Sequence, residues 1–382
     1  MSNCLRVAMI IQSYYPRVGG AERQIASLAP LLQRDGVELQ VLTRRYPGLS
    51  RFEMIGGVPV HRLPVPGPKP AAALVFTLAA LPVLRRFSPH LVHAHELLSP
   101  ASTALAARRM FGTPAVAKVL RSGSLGDLAK LRKRPMGARR IQALVTGLDA
   151  FITISREIEA ELAAAGAPAE KLVFIPNGVD SRRFAPLAEP ERQALRRSLG
   201  IDGGPAVLFT GRMSAEKRLD QLVRLWPQVR QAHPQATLLL VGEGEQRPEL
   251  EQAGGKGVRL IPPVDDVAPY LQAADLFVLP SATEGLSNAL LEAMAAGLAV
   301  VATSVGGASD VIEQGVSGRL VPPDRPDLLL EAINGLLAGP ELRRRFGQAG
   351  RERMISEYSL PSVAGRLKEL YERIYFGSDI LA

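Results

Sequence analysis

Glu284 and Glu292 stand eight positions apart in SATEGLSNALLEAMAAG (281–297). The first falls in the loop after an apolar run read as a strand, DLFVLPS (275–281), and the second inside the apolar segment read as the following helix. Between them Gly285, Leu286, Ser287 and Asn288 supply a tight turn and the backbone N–H groups that open that helix. Free N–H groups and the helix dipole at such an end attract a phosphate. A carboxylate one or two turns into the helix can accept from a pair of neighbouring hydroxyls. Glu284 can do the same at the other end of one ligand.

A second constellation is Gly211–Arg212–Met213–Ser214–Ala215–Glu216–Lys217, directly after the apolar run VLFT (207–210). Arg212 and Lys217 leave one strand tip close together. Two cations there suit a diphosphate, and would stabilise negative charge growing on a departing nucleoside diphosphate. A third is Gly19–Gly20–Ala21–Glu22, after the first apolar run. Paired glycines let backbone approach a ligand closely, and Gly20 at a helix start could hold a distal phosphate. Taken alone, that stretch reads as a plain turn.

Together these motifs resemble a family 4 glycosyltransferase of the GT-B fold. GGAE (19–22), NGVD (177–180), the GR and EK of 211–217, VGEGE (241–245) and EGLSNALLEAMA (284–295) follow in that family's order. The resemblance covers nearly the whole chain. It implies a retaining transfer from an activated sugar nucleotide, the nucleotide sugar being a substrate and not a cofactor. It assigns Arg212 and Lys217 to the diphosphate, Glu292 to the ribose and Glu284 to the transferred sugar, which makes Arg212, Lys217 and Glu284 the expected catalytic set. Gly19, Gly20, Gly211, Gly285, Leu286, Ser287 and Asn288 complete the expected donor site. The resemblance also implies a final helix around 361–376 that crosses back to the first domain. No carboxylate stands out as a covalent nucleophile, so same-face attack, as usually proposed for the family, is the expected route.

Aspartates two positions apart, the usual pair for a metal-bridged diphosphate, occur nowhere in the sequence, so no metal is expected. Many relatives place a His in the loop after the strand matching PAVAKVL (114–120), whereas this chain reads KVLRSGSLGD (118–127). The expected acceptor-side residues are therefore Arg121, the backbone of Ser122 and Gly123, Asp127, and Glu22. His93 and His95 in VHAHE (92–96) share one face of a strand and are also expected on the acceptor side, one packed and one facing the cleft.

These side chains need rigid strand ends to hold them. The chain has 382 residues, 47% hydrophobic and only 5% aromatic, enough for two cores of Leu, Val, Ile and Ala. LRVAMIIQ (5–12) opens a strand–loop–helix–strand series, and PAVLFTGRM (205–213) restarts it. The expected fold class is thus α/β, two Rossmann-like domains whose parallel sheets face a central cleft. Residues 1–185 form the acceptor domain, 186–360 the donor domain, and the terminal helix, 361–382, returns to the first. Segment 130–147 reads as one basic helix.

Cys4 is the only cysteine, which excludes an intrachain disulfide and suits a reducing cytosol. The opening MSNCLRVAMIIQSYYP does not read as a signal peptide. The apolar stretch 71–84, interrupted by Pro82, is too short to span a membrane and reads as a buried or interfacial helix. The net charge is +9, and residues 85–140 carry twelve Lys and Arg against two acids. No aromatics interleave with them, which disfavours nucleic acid. An anionic membrane surface or a phosphorylated acceptor suits the segment, as does a merely solvated basic face. The leading function is hexose transfer from a UDP-sugar, then GDP-mannose, to a lipid-linked or saccharide acceptor. A sugar-nucleotide 2-epimerase of the same architecture and a non-enzymatic basic binding protein remain as alternatives.

Overall fold

Uninterrupted apolar runs become parallel strands buried on both faces, as expected of strands covered by helices on either side. The computed structural model describes residues 4–67, 69–201 and 203–377. They divide into two units, one reaching to Gly178 and resuming at Leu360, the other spanning Val179–Ser359. The expected boundary at 185 thus falls earlier, because Val179 donates its N–H to the Tyr358 carbonyl at 2.8 Å and Phe184 is buried.

In the first unit the strands are β1 (Leu5–Ile10), β2 (Val37–Arg44), β3 (Phe52–Ile55), β4 (Val58–Leu63), β5 (Leu91–His95), β6 (Ala115–Val119), β7 (Ala150–Thr153) and β8 (Leu172–Phe174). They form one sheet in the order β3-β4-β2-β1-β5-β6-β7-β8. Only β3 runs antiparallel to its neighbour β4. That short edge strand had no signal in the sequence, since its Phe52, Glu53 and Met54 are all exposed. The order turns back between β1 and β5, so the loops after these two strands diverge and leave a crevice at their carboxyl ends.

One face of this sheet, with Val7, Met9, Leu39, Leu91, Val116 and Ile152, packs on the helices Gly20–Arg34 and Leu360–Phe376. Ile25, Leu28, Leu32, Val363, Leu367, Leu370 and Tyr371 fill the layer. The terminal helix therefore belongs to the first unit. Residues 378–382 of the segment assigned to it lie outside the described residues, as do 1–3 of the first domain.

The second unit holds β9 (Ala206–Thr210), β10 (Thr237–Val241), β11 (Val258–Ile261), β12 (Leu276–Leu279), β13 (Ala299–Thr303) and β14 (Arg319–Val321). All are parallel, in the order β11-β10-β9-β12-β13-β14, which turns back between β9 and β12. Behind β9, Asp275 accepts from Arg192 at 2.6 Å, Arg196 at 2.9 Å and the Ala206 N–H at 2.8 Å, which fixes the strand's start.

Two expected helices differ in extent. The basic stretch 130–147 is two helices, Asp127–Arg132 and Gly137–Gly147. Pro135 has no N–H to continue the ladder, and Met136 sits at φ +56°. The apolar helix runs further than expected, Lys69–Phe87, continuing through Pro82. Among the described residues no helix is long and apolar enough to cross a membrane.

The terminal helix is tied to β5 by the Tyr371 hydroxyl, 2.7 Å from His93 Nδ1. Tyr371→Phe leaves that buried nitrogen without its partner. The expected loss is about 1–2 kcal/mol, read as a lower urea midpoint with unchanged slope.

Candidate functional site

In the second unit the expected donor residues gather at the carboxyl ends of four neighbouring strands. β9 ends at Gly211, whose N–H donates to the Val241 carbonyl at 3.0 Å. Arg212 follows and is exposed. Lys217 closes the short turn Ala215–Lys217, with its side chain mostly buried. The loop after β12 meets it: the Ala282 N–H donates to the Glu216 carbonyl at 2.8 Å. Glu284 is buried, forms a direct ion contact with Lys217, and accepts from Ser281 Oγ at 2.8 Å. The two residues come from loops on either side of the strand-order reversal.

The next loops hold this pair from both flanks. After β10, Gly242 has φ +146°, and a Cβ there would lie 2.0 Å from the Gly211 carbonyl oxygen. Met213 exchanges backbone bonds with that loop, donating to Glu243 at 2.8 Å and accepting from Gln246 at 3.0 Å. After β13, Gly306 has φ +55°, and a Cβ would lie 2.5 Å from the Glu284 carbonyl oxygen. Only glycine permits both approaches. Gly285 and Leu286 are buried, and the Gly285 carbonyl accepts from Gly307 at 2.5 Å.

Ser287 caps the helix Asn288–Ala295, its Oγ accepting from the Leu290 N–H at 3.4 Å. Asn288 and Glu292 are half-buried on that helix. The unit thus presents two cations, two carboxylates and a capped helix start on one rim. That set can bind a diphosphate and a polyhydroxylated group together.

In the first unit, Gly20 begins the helix Gly20–Arg34. Glu22, expected on the acceptor side, is spent on the loop itself. Its carboxylate accepts from the Gly19 N–H at 2.9 Å and from Ser13 Oγ at 2.5 Å. Asp127 is likewise buried and accepts from the Leu97 N–H at 3.1 Å. Burial holds its carboxyl above the usual range. Arg121 is half-buried and Ser122 fully buried. The Gly123 N–H donates to Glu161 at 2.6 Å, so that amide is already engaged.

His93 and His95 depart from expectation. Both are buried, at 1% and 4% exposure, and neither faces outward. The rings stack with centroids 4.2 Å apart. Lys118 pairs with His95 across β5 and β6 and is also buried. The three share the face covered by the terminal helix. Burial pushes His93 down to about 3 and Lys118 down to about 8, and lowers His95 well below the ordinary imidazole value.

The residue that sequence reasoning passed over is Glu96. It follows β5 at the strand-order reversal, with φ +84°, and accepts from Gln12 Nε2 at 2.5 Å. The end of VHAHE marked its place, but its backbone conformation and its Gln12 partner had no local signal. Burial, reinforced by Asp127, raises it from 4.5 to about 7. A carboxyl bound more tightly to its proton when folded contributes stability below pH 4.5 that is lost as pH rises through about 7. Glu96→Gln should therefore raise the melting temperature relative to wild type more at pH 8 than at pH 5. An equal difference at both would contradict the assignment.

Two family models match the chain: the glycosyl transferase 4-like domain over residues 19–178 and glycosyl transferases group 1 over 204–339. A GDP-mannose-dependent alpha-mannosyltransferase of Mycobacterium tuberculosis is 31% identical, with 97% of each chain covered. Among solved structures, the sucrose-phosphate synthase of Thermosynechococcus elongatus superposes with a TM-score of 0.83 at 25% identity, covering 98% of this chain and 100% of that one. The Anabaena protein HepE, solved with UDP-glucose, superposes with a TM-score of 0.79 at 21% identity, covering 96% and 99%. The likeness to the mannosyltransferase spans nearly the whole of both chains, and the two family models together match residues of both units; the chain belongs to the family 4 glycosyltransferases of the GT-B fold and is a hexosyltransferase.

Proposed function

We propose that the chain transfers a hexose, with retention at the anomeric carbon, from a nucleoside-diphosphate sugar to a hydroxyl of a lipid-linked or saccharide acceptor. The observation that carries this reading is Lys217 in contact with Glu284 at the reversal between β9 and β12, with Arg212 exposed on the same loop. GDP-mannose is the proposed donor, because the relative that is 31% identical over nearly its whole length is named for it. This replaces UDP-sugar as the first choice.

In this reading Arg212 and Lys217 bind the diphosphate, Glu292 the ribose and Glu284 the sugar. The anomeric C–O bond breaks, and its electron pair leaves with the diphosphate, where both cations stabilise the new charge. The acceptor oxygen forms its bond on the same face, and its proton passes to a diphosphate oxygen. No metal or organic cofactor takes part.

The exposed cations Arg85, Arg86, Arg109, Lys130, Arg132, Lys133, Arg134 and Arg139, beside exposed Leu74 and Leu78, support peripheral contact with an anionic membrane face. Lys118 is buried and Arg108 is paired with Asp149, so neither contributes.

The test is release of nucleoside diphosphate from GDP-mannose, UDP-glucose, UDP-galactose and UDP-N-acetylglucosamine in EDTA. GDP release is expected to persist without metal and to fall on the order of a hundredfold or more in Arg212→Ala and Lys217→Ala. Release from a UDP-sugar alone would replace the donor. Release that survives both substitutions would overturn the site.

A further inference from the structure

The helix Ser99–Phe111 begins at the carboxyl end of β5 with no acidic residue in its first turn and no side-chain cap. Two guanidiniums are placed on that start. Arg44, the last residue of β2, donates from Nη2 to Ser99 Oγ at 2.9 Å. Arg140 donates from Nε and Nη2 to Ser102 Oγ at 3.0 and 2.6 Å, and from Nη2 to the Leu98 carbonyl at 2.8 Å. Among the described residues neither forms an ion pair, although Arg62, Arg108, Arg192 and Arg196 each have a carboxylate. Arg44 Nε is buried without an acceptor. The nearby carboxyl of Asp127 is engaged by the Leu97 N–H.

This arrangement is electrostatically the wrong way round. Cations favour the carbonyl end of a helix, and its N–H end repels them. A favourable counterpart is Arg343, which donates to the Leu336 and Leu337 carbonyls at 2.6 and 2.7 Å, near the end of the helix Pro326–Ala338. At Ser99 two positive groups converge on a positive helix end. Both residues are half-buried, and neither guanidinium has all its N–H donors engaged. An anion able to take several donors in a fork would balance the cluster, which is the chemistry of a phosphoryl group. Arg44 also donates its backbone N–H to the Gln12 carbonyl at 3.4 Å, so the cluster adjoins the crevice where Gln12 meets Glu96.

We propose that Arg44 and Arg140, with Ser99 and Ser102, form a phosphoryl-binding subsite of the first unit that holds a phosphorylated acceptor. The acceptor role rests on the transferase reading, but the anion site stands on its own geometry. A soluble phosphomonoester and a lipid phosphodiester head group would both satisfy it.

The experiment measures inorganic phosphate and glycerol 3-phosphate binding by calorimetry in a background of Arg212→Ala with Lys217→Ala, which removes the other anion site. Arg44→Gln and Arg140→Gln are each added to that background. Sedimentation with phosphatidylcholine vesicles, with and without phosphatidylglycerol, forms a second arm. Phosphate binding should survive the background substitutions and weaken on the order of tenfold in each arginine variant, with melting temperatures close to the parent. Loss with glycerol 3-phosphate assigns a soluble ester. Loss confined to phosphatidylglycerol vesicles assigns a lipid head group. Binding of phosphate, glycerol 3-phosphate and phosphatidylglycerol vesicles all unchanged in both arginine variants, or binding of none of the three to the parent protein, would overturn the proposal. Nucleotide release is read separately, so failure of the transferase reading leaves this result interpretable.

Discussion

Lys217 and Glu284 touch because β9 and β12 are neighbours in a sheet whose strand order reverses between them. The ion contact is mostly buried, and a charge held there without its partner would be costly. Keeping it requires every loop around it to hold its course. The Ala282–Glu216 backbone bond ties the two loops directly, while close approaches at Gly242 and Gly306 wedge them from the flanking strands. The capped helix Asn288–Ala295 then carries Glu292 at a fixed offset from Glu284. In the proposed reading, an incoming diphosphate would meet a cation already oriented by a carboxylate, which would reduce the reorganisation that binding requires.

The first unit follows the same topological logic with a different electrostatic outcome. Deep in its sheet, burial lowers His93, His95 and Lys118 on the face under the terminal helix, and raises Glu96 just past the end of β5. Toward the surface the arginines keep their charge, and Arg44 and Arg140 concentrate it at one helix start.

What could be read from the sequence was local. The loop after an apolar strand, the glycine turn and the apolar helix around Glu292 lie within one short stretch, and they marked the candidate donor-side residues and the doubly wound architecture. Long-range partners were hidden. Nothing near His93 announced Tyr371, 278 positions away, so one histidine was expected to be packed where both are. The partnership of Arg44 with Ser99, 55 positions apart, had no local sign either. The break at Pro135–Met136 was masked by a run of basic residues with good helix propensity. Strand β3 was missed because it is only four residues long and pairs at a sheet edge with Phe52 and Met54 exposed.

The most direct test of the donor site is hydrogen–deuterium exchange with and without GDP, in EDTA. Protection is predicted for amides of residues 211–218 and 282–290, the loops that hold Lys217 and Glu284. Protection confined to the first unit, around residues 12–22 and 96–102, would place the nucleotide elsewhere and contradict the account.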